Sequence, residues 1–238
     1  MKTTGIVAVM SLLMASCSLN YHDSISGNGK VKTKQVSTDT ITQIIVSDRL
    51  DLTIVPSDSV MVLLKADENL HDVINTTFDN GILRVTSDKY IRIARSKEVI
   101  VYGHQICQVE ASAKTSVMTR DTIQCDEFTL ITSSGADVKL IGRFKSCTVN
   151  SSSGSSIYLE GKTDYLNINA SSASDIFGYD LQARRGDILA SSASDVRITI
   201  LDDAHFNASS ASDIIYKGTP SVLDSRSSSL GEIRQARF

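Results

Sequence analysis

From Ile41 onward, apolar and polar residues alternate with period two, and almost nowhere with the 3.6-residue period of a helix. Ile44 and Val46, then Leu50, Leu52 and Ile54, then Val60, Val62 and Leu64 each fall on one face of an extended segment. Pro56-Ser57-Asp58-Ser59 separates two of these runs. Asp79-Asn80-Gly81 is a hairpin signal between residues 73–78 and 82–85. Ile91, Ile93, Val99 and Val101 continue the alternation, and only 67–73 suits a short helical turn. The pattern predicts an all-β chain.

Past residue 106 a longer period joins the short one. The clearest copies are Ile168-Asn-Ala-Ser-Ser-Ala-Ser-Asp-Ile176, Ile188-Leu-Ala-Ser-Ser-Ala-Ser-Asp-Val196 and Phe206-Asn-Ala-Ser-Ser-Ala-Ser-Asp-Ile214, with weaker copies ending at Val117, Val138, Ile157 and Leu230. The end residues are spaced by 21, 19, 19, 20, 18 and 16. Such a period, built from β-type residues, predicts a stack of coils of about 16–21 residues over about 106–230. Eight residues before the ends stand Val109, Leu130, Val149, Ile168, Ile188, Phe206 and Val222, and two residues after them come Leu140, Leu159, Ile198 and Tyr216. These ladders fill a narrow interior coil upon coil. The Ala, Ser and Gly between them suit a tight corner. Aliphatic residues bracket every Ser cluster, so the phrase is no disordered linker. The last copy lacks the Ala and the Asp, and 220–238 reads as a polar cap over the final strand edge. Residues 36–238 form a single domain whose irregular N-terminal β region shares the core of the coils.

The start of the chain reads as a processing signal. Lys2 precedes a short apolar run, 6–14, which enters Met14-Ala15-Ser16-Cys17. Small residues before a cysteine resemble a bacterial lipobox, so 1–17 is expected to be a lipoprotein signal and Cys17 the lipidated residue. An ordinary secretion signal is the other reading. The expected location is the cell envelope, lipid-anchored to the outer membrane and facing the periplasm or the surface. Residues 18–35 are polar and read as a flexible tether.

With 238 residues, 41% hydrophobic, the chain can bury a core, and its net charge of −3 offers no basic footprint for nucleic acid. Besides Cys17 there are Cys107, Cys125 and Cys147, an odd number that excludes a complete disulfide framework. Cys107 and Cys147 hold one place two coils apart, roughly 9.6 Å, which is too far for a disulfide. Phe128 and Leu166 hold that place in neighbouring coils, so the cysteines read as small buried hydrophobes. His22, His71, His104 and His205 are scattered, and no GxSxG, HExxH or phosphate-binding glycine loop is present. No catalytic residue and no metal centre emerge.

The segment Ile44-Ile-Val-Ser-Asp-Arg-Leu-Asp-Leu-Thr-Ile-Val-Pro-Ser-Asp, then Val62-Leu-Leu-Lys-Ala-Asp-Glu-Asn-Leu70, the Asn80-Gly81 hairpin and the serial Ser-Ser-Ala-Ser-Asp-Ile coils together resemble the autotransporter adhesin head GIN domain family. These are mostly lipoproteins or secreted proteins of Bacteroides-type bacteria, and the resemblance covers roughly 40–220. It implies a right-handed parallel β-helix-like fold, adhesion by name only, and no catalytic residues. Family members usually read Ser-Gly-Ser-Gly-Asp at the repeat. Ala replaces Gly here, so these corners must accommodate a Cβ.

One register carries candidate chemistry. Asp137, Asp175, Asp195 and Asp213 close four copies of the phrase, with Ser116, Ser156 and Ser229 in the others. Carboxylates stacked about 4.8 Å apart repel unless solvated or bridged by a cation. They read either as a Ca²⁺-binding or sugar-binding edge or as solvated corners accepting backbone hydrogen bonds. Asp187, Asp202-Asp203, Arg184-Arg185 and Arg197 are raw material for a pectinase-like site but match no motif. Tyr158, Phe177, Tyr179 and Tyr216 lie just past the corner, as a stacking surface or as wall packing. The leading expectation is a non-catalytic envelope lipoprotein, adhesin-like or structural, needing no cofactor and binding the membrane through Cys17 and a polysaccharide or another envelope protein. The alternative is a polysaccharide-degrading β-helix enzyme.

Overall fold

The computed structural model describes residues 23–36 and 38–237. The signal segment and Cys17 lie outside the described residues. The N-terminal part holds β1 (Ser24–Ile25), β2 (Val31–Val36), β3 (Gln43–Val46), β4 (Asp51–Val55), β5 (Met61–Asp67), β6 (Ile74–Asp79), β7 (Ile82–Ser87), β8 (Tyr90–Ile91) and β9 (Lys97–Tyr102). One 3-10 turn, Glu68–Leu70, falls in the stretch expected to turn. β6 and β7 form the hairpin signalled by Asn80-Gly81, both at positive φ.

The coils follow: β10 (Gln108–Ala111), β11 (Ser116–Thr119), β12 (Ile123–Thr132), β13 (Asp137–Ser151), β14 (Ser156–Ala170), β15 (Asp175–Ala190), β16 (Asp195–Ala208), β17 (Asp213–Lys217), β18 (Val222–Ser227) and β19 (Glu232–Gln235). They pair in parallel, coil on coil. Each coil follows a first wall, turns the Ser-rich corner, follows a second wall, and bends along a third wall into the next coil. β13 to β16 pass through all three walls without a break.

The register runs Asp137, Ser156, Asp175, Asp195, Asp213, Glu232, with successive offsets of 19, 19, 20, 18 and 19 residues. The inward ladders are as expected through Tyr216: Val149, Ile157, Ile168, Ile176, Val196 and Ile214 are essentially inaccessible. Cys147 stacks between Phe128 and Leu166, and burial pushes its thiol pKa up to about 12. Cys107 and Cys125 are only half-buried.

Three readings need correction. First, the last copy is shifted: Ile233, not Leu230, pairs with Ile214, and Ser225, not Val222, pairs with Phe206. Ser228-Ser-Leu-Gly-Glu-Ile233 is the true phrase, so Leu230 takes the Ala place at the corner and is 89% exposed. Glu232, not Ser229, holds the Asp register. Aligning the nearest aliphatic residue hid this, because Leu and Gly stand where other copies have Ala and Ser. Residues 222–235 are thus a polar final coil, with Ser225, Ser227 and Gln235 at inward positions. Second, the expected tether contains strands. β1 pairs with β8, and all six residues of β2 pair with β5. Lys32 and Lys34 in an otherwise alternating run mark an edge strand. Third, the stack begins earlier than residue 106. β3 and β4 lie on β10 and β11, joining Ile44 to Val109 and Asp51 to Ser116. Ser47-Asp-Arg-Leu-Asp51 is therefore a further corner. β7 and β9 stack above it, and antiparallel β5, β6 and β2 close that end.

The corner explains the phrase residue by residue. Both central residues are left-handed at Asp48-Arg49, Ala113-Lys114, Ser134-Gly135, Ser153-Gly154, Ser172-Ala173, Ser192-Ala193, Ser210-Ala211 and Ser229-Leu230. A residue with a Cβ pays about 1–2 kcal/mol for that conformation. Hydrogen bonds from corner to corner offset it: Ala173 N–H donates to Ser192 O at 2.9 Å, Ala193 to Ser210 and Ala211 to Ser229 at 3.0 Å. The next residue points inward. Ser174, Ser194 and Ser212 are fully buried, and their hydroxyls donate to Ser151 O, Ala170 O and Ala190 O at 3.2, 3.1 and 2.9 Å. In the Thr115 copy the buried hydroxyl has no partner.

The left-handed alanines carry a testable cost. Changing Ala173, Ala193 and Ala211 together to Gly relieves the Cβ strain three times, less about 0.4–1 kcal/mol each for the freer unfolded chain. The expected result is a melting temperature raised by several degrees, read by calorimetry. A fall would show that these methyl groups pack to advantage.

At the closed end Asp67 is inaccessible. Its carboxylate accepts N–H donors from Gly29 at 2.9 Å, Ser96 at 3.0 Å and Arg95 at 3.3 Å. One side chain thus ties the N-terminal segment to the loop before β9.

Candidate binding face

The second wall carries two outward columns side by side. The first is the acidic register. The structure aligns Asp137, Asp175, Asp195 and Asp213 as the spacing predicts and lengthens the row with Asp51 at one end and Glu232 at the other. Next to Asp51, on β9, sits Glu98. Burial raises the Asp51 carboxyl pKa, Lys97 opposes it, and Glu98 adds to the rise. Elsewhere cations of the neighbouring column answer the row: Arg197 lies 3.4 Å from Asp195, and Arg234 lies 3.5 Å from Glu232. Among the described residues no group of three or more His, Cys, Asp or Glu side chains converges on a metal-sized site.

The second column reads Met118, Lys139, Tyr158, Phe177, Arg197, Ile215, Arg234. Tyr158 and Phe177 stack with centroids 4.7 Å apart and planes 14° apart. The Arg197 guanidinium lies 5.1 Å from the Phe177 centroid, and Lys217 Nζ lies 4.5 Å over Tyr179. Tyr158 is 51% exposed and Met118 40%. Tyr216 is different: it is buried, 5.0 Å from the Phe206 ring, and belongs to the core. A cleft of about 860 Å³ opens at the end of this column, with Tyr179, Arg197, Lys217 and Arg234 among its lining. The arrangement is an aromatic platform between acidic and basic side chains, suited to stacking and hydrogen bonding with a polar, extended ligand.

The other candidate chemistry is dispersed. Arg184 pairs with Asp202 at 2.9 Å on the third wall. Asp187 is on the first wall, hydrogen-bonded by the Tyr165 hydroxyl. Arg197 belongs to the second wall. Within the pectinase-like set, Arg185 stands opposite Asp203 in register and two residues before Asp187 on the first wall, whereas the Arg184–Asp202 pair and Arg197 stand elsewhere. His205 stands between Asp187 and Asp224 in register, with Nδ1 4.0 Å from Asp224. His71 and His104 contact backbone carbonyls far from it. Sequence reasoning also missed a charge ladder at the bend before the first wall. Asp126 and Lys145 pair at 2.7 Å, and the hydrogen bond to Asp126, aided by Asp164, raises the Lys145 pKa. Asp126, Lys145, Asp164, Arg184 and Asp202 alternate in sign at one-coil spacing, a signal visible once the period is applied to charges.

No curated protein matches the chain. Solved structures share the fold at low identity. A protein of Bacteroides fragilis described as a "putative adhesin" superposes with a TM-score of 0.80 at 14% identity, covering 89% of this chain and 100% of that one. A "putative adhesin" of Parabacteroides merdae gives 0.73 at 19%, over 90% and 100%. A "putative lipid binding protein" of Parabacteroides distasonis gives 0.74 at 16%, over 90% and 100%. Residues 40–220 match the family described as "Putative auto-transporter adhesin, head GIN domain", the span that holds the corners from Asp48 to Ala211, and the chain belongs to that family.

Proposed function

We propose that the protein is a non-catalytic, adhesin-like binding module of the cell envelope, anchored through a lipidated Cys17, and that its second wall engages polysaccharide. The observation that carries this reading is the stacked pair of Tyr158, which is exposed, and Phe177, which is half-buried, flanked by the acidic row and by Arg197. The faces of the pair are turned to each other and to Arg197, so the rings offer an apolar strip of ring edges to a sugar, and adjacent carboxylates and guanidinium groups serve its hydroxyls. The family and its structural relatives, named as adhesins, support a binding role.

The test uses the chain from Asp23 onward and a panel of bacterial and host polysaccharides, following retention and released fragments together. Retention without fragments is expected, with a loss of at least tenfold in affinity for Tyr158→Ala with Phe177→Ala, on the order of 1.4 kcal/mol. Repeating it with Ca²⁺ and with chelator shows whether the Asp137–Asp213 row takes part through a cation. Released fragments would overturn the non-catalytic reading, and retention unaffected by the double variant would move the site off this wall.

A further inference from the structure

We infer that the last coil is a docking surface for a second copy of this chain, and that two molecules join end to end about a two-fold axis through the corner at Ser229. β18 pairs only with β16 and β19 only with β17 among the described residues, so each presents a free edge. The hydrogen bonds Ser228 N to Ala208 O, Glu232 N to Ser212 O and Ala236 N to Tyr216 O show which residues face the body of the stack. By alternation, the N–H and C=O groups of 223, 225 and 227 on β18, and of 233 and 235 on β19, face outward along the axis, while the Gly231 N–H is used within the corner, donating to Ser228 O at 2.9 Å. Such an edge is a template for another strand.

A two-fold axis along the bisector of the corner exchanges first and second walls. It lays β18 of one copy antiparallel to β19 of the other, and closes both edges at once. Three registers centred on the corner keep inward residues opposite inward residues, and charge chooses among them. One sets Asp224 against the second copy's Glu232, and another sets Arg226 against its Arg234. The register between them sets Asp224 against Arg234 and Arg226 against Glu232, four opposite-charge pairs per dimer by symmetry. In that register Ser225 faces Ile233, and both have free backbone groups to exchange. The charged pairs fall at the non-hydrogen-bonded positions, where cross-strand side chains approach closest. In the single chain Arg226 pairs with Asp224 at 3.3 Å and Arg234 with Glu232 at 3.5 Å along their own strands, and His205 on β16 lies 4.0 Å from Asp224. Leu230 lies one residue from the axis in each copy and is 89% exposed, so the two copies cover it together. The contact is isologous and self-closing, so it yields a dimer and not a fibre.

Sedimentation velocity on the chain from Asp23 onward, over a wide concentration range, reads the association. A monomer–dimer equilibrium weakened by salt is expected. Arg226→Glu sets two acids face to face and should leave monomer, and adding Glu232→Arg should restore the dimer. Ser225→Pro removes an edge N–H that the single chain does not use, and should give a folded monomer by circular dichroism. Wild type that stays monomeric throughout overturns the inference. So does a dimer indifferent to Arg226→Glu and Ser225→Pro, and a double charge swap that fails to rescue overturns the register.

Discussion

Ile168→Asp is expected to abolish folding, and Val149→Asp to do the same. Both side chains are inaccessible and lie on each other in the first-wall ladder. Replacing Ile168 forfeits its packing, about 2–5 kcal/mol for a large buried aliphatic residue. It also places a carboxylate with no partner in the interior, which adds several kcal/mol more. The sum rivals the whole stability of a domain, about 5–15 kcal/mol. Asn169→Asp is the matched control. One residue along a strand the side chain faces the other way, and Asn169 is exposed, so that change should cost only its surface amide bonds to Asn150 and Asn167, far less than the buried variants. Urea unfolding followed by circular dichroism separates the cases. Unchanged midpoints in both buried variants would sink the inward-ladder assignment.

Asp67→Ala should cost about 3 kcal/mol, because three backbone N–H groups lose their acceptor in a site closed to water. The effect should depend on pH. Burial alone would raise the Asp67 pKa, but the N–H donors of Gly29, Arg95 and Ser96 outweigh it and hold the group below its ordinary 3.8. A carboxyl with a lowered folded pKa contributes its full stability above the unfolded value and loses it as pH falls through the folded value. The gap between wild type and variant should therefore be constant at neutral pH and narrow below about pH 4. A gap that stayed level to pH 2 would mean that Asp67 is not held as the carboxylate. Because Gly29 belongs to the N-terminal segment, the variant should also expose 23–36 to proteolysis first.

Much of the solenoid is legible without coordinates because each coil repeats the same bargain. Aliphatic residues fill the interior, and in the three clearest copies a buried Ser bonds the coil before it and an Asp holds the register. Periodicity read from Val117 to Ile214 therefore gave the right strands and the right inward faces. It failed where the phrase is chemically disguised. Ser47-Asp-Arg-Leu-Asp51 and Ser228-Ser-Leu-Gly-Glu232 keep the backbone of the corner while changing nearly every side chain. The left-handed pair is a property of φ, and no single residue type announces it here. The candidate face was half legible. Spacing alone aligned the Asp row, but whether a Tyr lies on the wall or in the core depends on how the chain leaves the corner. Tyr158 stands at +2 from its register residue, Ser156, and Tyr216 at +3 from Asp213, and that one step puts the first in solvent and the second against Phe206.

The stacking has a mechanical consequence. Hydrogen bonds between coils run along the axis, so a pull between the two ends loads every coil interface in series, while the bonds within an interface share the load in parallel. The interfaces are unequal: β13 and β14 are joined by 14 residue pairs, whereas the final coil is held by 6 through β18 and 4 through β19. Under tension the narrow seams at the two ends of the stack should part before the broad ones between them, because β3 and β4 hold β10 and β11 by only 4 pairs each. A force record should then open with small ruptures from both ends and finish with the larger ones that separate β13, β14 and β15.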